Sequence, residues 1–218
     1  MRVVCISDTH ELHRELQIPR GDLLIHAGDF TFFGKSRRKI IEFNDWLGEL
    51  PHAHKVVVPG NHEFLLEEDP GLARLFTNCI LLSNEGIDLA GVKIWGSPMT
   101  PHYGGAFGRS NEADRVRIYS SIPNDTDILI THMPPYGILD GTDEYPGPSG
   151  DPILRKAVIR VKPRLHVFGH VHAGYGVNPT RDTMFVNAAL LGLTGALENK
   201  PIVLDIAGLD FNDTERIK

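Results

Sequence analysis

Residues 2–10 read RVVCISDTH, a short aliphatic run that ends in an aspartate and a histidine two positions apart. The run is rich in β-branched side chains and too short for a lone helix, so it is read as a buried strand. The same phrase recurs four times. DLLIHAG (22–28) is followed by Asp29, KVVVPG (55–60) by Asn61 and His62, DILIT (127–131) by His132, and RLHVFG (164–169) by His170 and His172. Five strands of five end in a side chain that can bind a metal or move a proton. In α/β sheets, sites form beyond the carboxyl ends of the strands. One crevice could therefore collect all eight side chains.

Helical periods lie between the runs. KSRRKIIEFNDWLGEL (35–50) puts Ile40, Phe43, Leu47 and Leu50 on one face, with Ser36 placed to cap. GDPILRKAVIRVKP (150–163) has Asp151 to cap, Pro152 at the first helical position and Pro163 as a stop. NEADRVRIYSSIP (111–123) is a weaker helix. EGIDLAGVKIWGSP (85–98), GVNPTRDTMFVNAAL (176–190) and KPIVLDIAG (200–208) read as β-hairpin material. The expectation is an α/β protein of mixed sheets with helices outside, in a single domain spanning 1–218. Two long Gly/Pro-rich loops, 97–110 and 133–150, are the places where function is expected.

Composition narrows the class. Net charge is −6, and the basic cluster Lys35, Arg37, Arg38 and Lys39 reads as the solvated face of a helix. A dedicated nucleic-acid surface is not expected. Cys5 and Cys79 have neither metal spacing nor the count of a disulfide framework. The start MRVVCIS shows no charged leader, and no apolar run approaches a membrane span, so a soluble cytoplasmic protein is expected. His26 and His166 sit inside strand runs and are expected in the core. His13, His52 and His54 are expected at the surface or in turns.

Each strand-end residue has an ordinary structural reading, such as a turn former or a helix cap. Coincidence at five positions is hard to sustain. Seven donors, two of them carboxylates, exceed the needs of one ion. His, Asp and Asn donors suit Mn, Fe or Zn, and a carboxylate can bridge two ions.

DTH (8–10), GD (28–29), GNHE (60–63), His132 and GHVH (169–172) together resemble the calcineurin-like metallophosphoesterase superfamily. GDFT, THMPP, RLHVFGHVHAGYG and VNAA resemble its branch of metallophosphoesterase-domain proteins, which includes metal-dependent phosphodiesterases. The resemblance implies two mixed β-sheets packed as a sandwich flanked by helices. It implies two divalent ions, manganese foremost, with iron, zinc or nickel as alternatives. Asp8, His10 and His172 would hold the first, Asn61, His132 and His170 the second, and Asp29 would bridge them. A metal-bridging hydroxide would attack phosphorus, with Asn61 and His62 contacting substrate and His62 serving as general acid. Glu63 would brace its loop.

One departure concerns substrate. Protein phosphatases of the superfamily carry GDxxDRG, whose Arg grips phosphate; here the stretch is GDFTFFG (28–34). Phe32 and Phe33 replace that Asp and Arg, which disfavours a dianionic monoester. These two rings are expected in the core or on a pocket wall. His102, Tyr103, Phe107, Tyr136 and Tyr145 are further candidates for substrate contact. The expected substrate is a small phosphodiester, cyclic nucleotides among them. A broader phosphatase, nuclease or pyrophosphatase, or a non-catalytic metal-binding scaffold, are the alternatives.

Overall fold

The computed structural model describes residues 1–101, 105–141 and 148–207. Its strands are β1 (Arg2–Ile6), β2 (Leu23–His26), β3 (His54–Val57), β4 (Ile80–Leu81), β5 (Glu85–Leu89), β6 (Val92–Ser97), β7 (Ile128–Thr131), β8 (Leu165–Phe168), β9 (Gly176–Pro179), β10 (Met184–Asn187) and β11 (Ile202–Asp205). Its helices are α1 (Arg37–Glu49), α2 (Phe64–Glu68), α3 (Glu112–Ser120) and α4 (Pro152–Val161). All five strand–ligand phrases form strands.

Two mixed sheets result. One has the order β11-β1-β2-β3-β4, the other β5-β6-β7-β8-β10-β9. β1 to β4 run parallel and β11 antiparallel; β6, β7, β8 and β10 run parallel between antiparallel β5 and β9. Alternation sorts the side chains. Val3, Cys5, Leu23, Ile25 and Val56 face Ile94, Ile128, Ile130, Leu165 and Val167 between the sheets. Val4, Ile6, Leu24 and Val57 face outward onto Phe43, Trp46 and Leu47 of α1. Leu129, Phe168 and Phe185 meet Leu154 and Val158 of α4. Parallel strands buried on both faces explain the unbroken apolar runs.

α4 starts as its sequence requires: Asp151 accepts from Ile153 N at 2.8 Å and Pro152 opens the helix. At α1, Ser36 occupies the capping position in extended conformation but makes no side-chain cap hydrogen bond. Residues 200–207, the described part of KPIVLDIAG, do not form a hairpin of their own. β11 instead pairs antiparallel with β1, from Arg2↔Asp205 to Cys5↔Ile202.

His13 and His52 correct the surface expectation, for both are buried. His13 lies against Phe43 and Trp46, at ring centroids 5.4 and 5.0 Å, and burial pushes its pKa down to about 4. His52 Nε2 is 2.9 Å from the Pro19 carbonyl. His26 and His166 are fully buried as expected.

Burial alone pushes His166 down to about 3. The unfolded chain takes up that proton near pH 6.5 and the native protein does not. Stability is therefore full above about pH 6.5 and declines as pH falls toward 3. At pH 5 the loss is about 2 kcal/mol. Urea unfolding of His166→Leu at pH 7.5 and pH 5 should show the gap narrowed by about that amount.

Candidate metal centre

The strand ends do converge. Asp8, His10 and His172 bring one donor atom each within 4.8 Å of one another; so do Asp29, His132 and His170, and so do His10, Asp29 and His62. Asn61 joins them: its Oδ1 lies 2.8 Å from both His132 Nε2 and His170 Nδ1. A cavity of about 280 Å³ opens over the group, lined by His10, Asp29, Phe32, Asn61, His62, His170 and His172 together with Leu191 and Gly195. A larger open cavity of about 490 Å³ lies among residues at the starts of β6 and β7 and carries a Lys93–Asp125 ion pair but no donor cluster.

The chain enters these positions in unusual conformations. Asp8, His10, Asp29 and His170 all have positive φ, between 40° and 65°. Asp8 N bonds the Gly28 carbonyl at 2.9 Å and His10 N the Asp29 carbonyl at 3.0 Å, so the β1 and β2 ends brace each other. Such strain persists only where surrounding structure enforces it, and it gathers at functional sites.

The donors fit divalent cations. His132 Nδ1 gives its hydrogen to the Ala27 carbonyl at 2.9 Å, and His172 Nδ1 faces the Gly192 carbonyl at 3.3 Å. Carbonyls only accept, so both rings turn Nε2 inward as lone pairs when neutral. This is how metal-binding histidines are oriented. His132 Nε2 then meets only acceptors, Asn61 Oδ1 and, at 3.3 Å, Asp29 Oδ2. On the neutral ring lone pairs face lone pairs there, so either a proton, which Asp29 favours, or a metal cation must stand between them. His10 adds a buried Nδ1 with no hydrogen-bond partner. Two donors about 2.1 Å from one ion stand roughly 3–3.5 Å apart. The contacts Asp29 Oδ2–His132 Nε2 at 3.3 Å and Asp8 Oδ1–His172 Nε2 at 3.4 Å match that spacing.

Electrostatics follow the same demand. Burial alone would raise Asp8 and Asp29; His172 and His132 around Asp8, and His132, His62 and His10 around Asp29, outweigh it and hold both carboxyls low. Burial would lower His132, but Asp29 overrides it and lifts the ring to about 9. Burial first, then the Asp29 charge, pushes Glu63 up to about 7.

Glu63 is a brace, buried and aimed away from the cavity's lining. Its Oε2 accepts from Asp29 N at 3.0 Å and Gly60 N at 2.5 Å, and its Oε1 from Thr31 N and Oγ1 at 2.9 and 2.8 Å. It thus ties the Asp29 loop to the loop of Asn61 and His62.

Matches to known proteins agree with this geometry. The model of the calcineurin-like phosphoesterases matches residues 1–174. The chain belongs to that family. Metallophosphoesterase domain-containing protein 1 of Homo sapiens is 38% identical to this calcineurin-like chain over 94% of the chain and 71% of the relative. A UPF0046 protein of Caenorhabditis elegans is 39% identical over 94% and 75%. TT1561 of Thermus thermophilus superposes with a TM-score of 0.57 at 14% identity, covering 85% of this chain and 88% of that one, a likeness of fold. No helix among the described residues is long and apolar enough to cross a membrane.

The remaining candidates divide. Phe107 is buried in the α1-side core rather than exposed to substrate, and Ala106 N beside it bonds the Asn61 carbonyl at 2.8 Å. Tyr136 is exposed. His102, Tyr103 and Tyr145 lie outside the described residues. Sequence reasoning missed Leu191 and Gly195 in the lining, because an aliphatic side chain and a glycine carry no signal of chemistry.

Gly60 shows how tightly this phosphoesterase site is built. A Cβ there would stand 2.2 Å from Asp29 Oδ1 and 2.5 Å from Asp29 N. Gly60→Ala should fold yet bind Mn²⁺ about 10- to 100-fold more weakly. Calorimetric titration of the metal-stripped variant checks this.

Proposed function

We propose that this chain is a dinuclear metal-dependent hydrolase of small phosphodiesters, cyclic nucleotides among the candidates. The observation that carries the reading is the pair of three-donor groups, Asp8–His10–His172 and Asp29–His132–His170, with Asp29 also in reach of His10 and His62. Asn61 joins the second group, and Asp29 is the residue that joins the two. Manganese heads the candidate ions, followed by iron, zinc and nickel. Two such ions, when bound, supply charge to the phosphoryl oxygens and a nucleophilic hydroxide near neutral pH.

The chain's own residues do the rest. His62 Nδ1 bonds the Phe32 carbonyl. That carbonyl can only accept, so Nδ1 carries a hydrogen and Nε2, 3.9 Å from Asp29 Oδ2, faces the cavity. In hydrolysis the P–O bond to the leaving group breaks and its electron pair stays on oxygen. A protonated His62 Nε2 gives that oxygen its proton. Asn61 lines the same cavity, its Oδ1 held at 2.8 Å from His132 Nε2 and His170 Nδ1.

Preference for diesters is supported by the cavity's charge. Among the described residues lining it there is no Lys or Arg. A monoester dianion would lack the guanidinium fork that such sites use, whereas a diester carries one charge fewer. A cytoplasmic setting belongs to the same reading, supported by two free cysteines.

Hydrolysis of bis-p-nitrophenyl phosphate by metal-stripped protein tests the proposal. Turnover should be absent without metal and restored by Mn²⁺. A protein that binds two ions and hydrolyses neither this diester nor cyclic nucleotides would be a scaffold instead.

A further inference from the structure

Phe32 and Phe33 bury little: they are 49% and 67% exposed, and Leu193 is 81% exposed. Scattered apolar residues on a surface need no explanation. All three lie on or beside chain segments that line the candidate metal cavity. Phe32 lines it, with its ring centroid 5.9 Å from His10 and 6.4 Å from His62, and Phe33 stands edge-on to Phe32 at 4.6 Å. Leu191 and Gly195 line it as well, and Leu193 sits in the turn between them, closed by Gly195 N on the Gly192 carbonyl at 3.1 Å.

The aromatic side is held still at its backbone. Phe32 N bonds Glu11 Oε1 at 3.3 Å, and the Phe32 carbonyl takes the His62 Nδ1 hydrogen. Gly34, at φ +58°, packs so closely on the His62 carbonyl that a Cβ would stand 1.7 Å from it. A pinned backbone with a half-exposed ring gives no core packing for that ring to explain. It does present a fixed aromatic surface beside the phosphate-binding floor.

We propose that Phe32, steadied by Phe33, is the specificity residue that stacks an aromatic ring carried on the substrate's phosphoester. This rests on the phosphoesterase reading and deepens it: the substrate class is an aryl or nucleobase-bearing phosphodiester rather than an alkyl one. The cavity, about 280 Å³, is just below the size range of roughly 300–1,000 Å³ for drug-sized ligands. That fits one planar group plus a phosphate. A lipid surface is less well supported, because the basic residues beside Phe33 are partly neutralised. Lys39 pairs with Glu11 and Glu42, and Arg38 with Glu42.

The test is equilibrium binding of monomethyl phenylphosphonate and monomethyl methylphosphonate, monoanions like a diester, to Mn²⁺-loaded protein by calorimetry. Wild type should bind the phenyl compound at least about 10-fold more tightly, as base–aromatic stacking would give. Phe32→Ser should bring the two affinities together by weakening the phenyl compound alone, and Phe32→Tyr should restore the difference. Equal affinities in wild type, or binding of neither compound, would overturn the inference. So would a phenyl preference that survives Phe32→Ser. Sedimentation of wild type with phosphatidylglycerol vesicles, abolished in Phe33→Ser, would overturn it in favour of a lipid surface. Failure of the phosphoesterase reading shows separately, as a phenyl preference without hydrolysis of bis-p-nitrophenyl phosphate.

Discussion

Asp29→Asn is expected to lower turnover of bis-p-nitrophenyl phosphate by at least about 10³-fold at saturating Mn²⁺, the several kcal/mol that metal charge contributes. Asp29 Oδ2 stands 3.3 Å from His132 Nε2, 3.8 Å from His10 Nε2 and 3.9 Å from His62 Nε2. Among the described residues it is thus the carboxylate oxygen that comes within 4 Å of His10 and of His132, one from each group of donors. Its Oδ1 accepts from His62 N at 2.9 Å. Asparagine keeps the shape and removes the charge, so metal content should fall below two ions per chain. The metal-free variant should unfold no more easily than wild type. Its buried carboxylate lies near Glu63, whose pKa is raised first by burial and then by the Asp29 charge. Removing that repulsion offsets the lost attraction to His132. Two bound ions and turnover within tenfold of wild type would show that Asp29 is not shared.

His62→Ala should leave both ions bound and slow hydrolysis of diesters with poor leaving groups by ~10²–10⁴-fold, the usual worth of a positioned general acid. The side chain lies at the cavity wall and its Nε2 makes no contact closer than 3.9 Å to Asp29. The metal groups Asp8–His10–His172 and Asp29–His132–His170 do not need it. A p-nitrophenolate leaving group scarcely needs protonation, so its release should suffer far less than that of an alkoxide. The ratio of the two losses is the readout. Equal losses would mean that His62 acts by holding structure, through its Phe32 bond, rather than by giving a proton.

The parts of this molecule that could be read from sequence are those set by local rules. Unbroken aliphatic runs marked β1, β2, β3, β7 and β8, because burial on both faces leaves no room for polar alternation. Asp151–Pro152 marked the start of α4, because capping is decided within four residues. The convergence of Asp8, His10, Asp29, Asn61, His132, His170 and His172 was legible because each lies within four residues of a strand's carboxyl end. Long-range matters were not legible. β11 finds its partner in β1 across the whole chain, and nothing local to KPIVLDIAG names that partner. His13 and His52 looked like surface residues because their burial depends on α1 and on the Pro19 segment folding over them. Phe32 and Phe33 were compatible with a core or a pocket wall until the path of residues 30–34 was known.

The four positive-φ residues Asp8, His10, Asp29 and His170 bear on how this protein would age in evolution. Each holds a left-handed backbone shape that glycine adopts at lower cost, by roughly 1 kcal/mol or more per residue. Replacing any of them relieves conformational strain while dismantling the donor set. Where selection on hydrolysis lapses, drift at these sites runs toward a sturdier, metal-free protein of the same fold. A scaffold of the same fold is then reached downhill in stability, and the strain at these four positions is the part of the fold that such a loss would release.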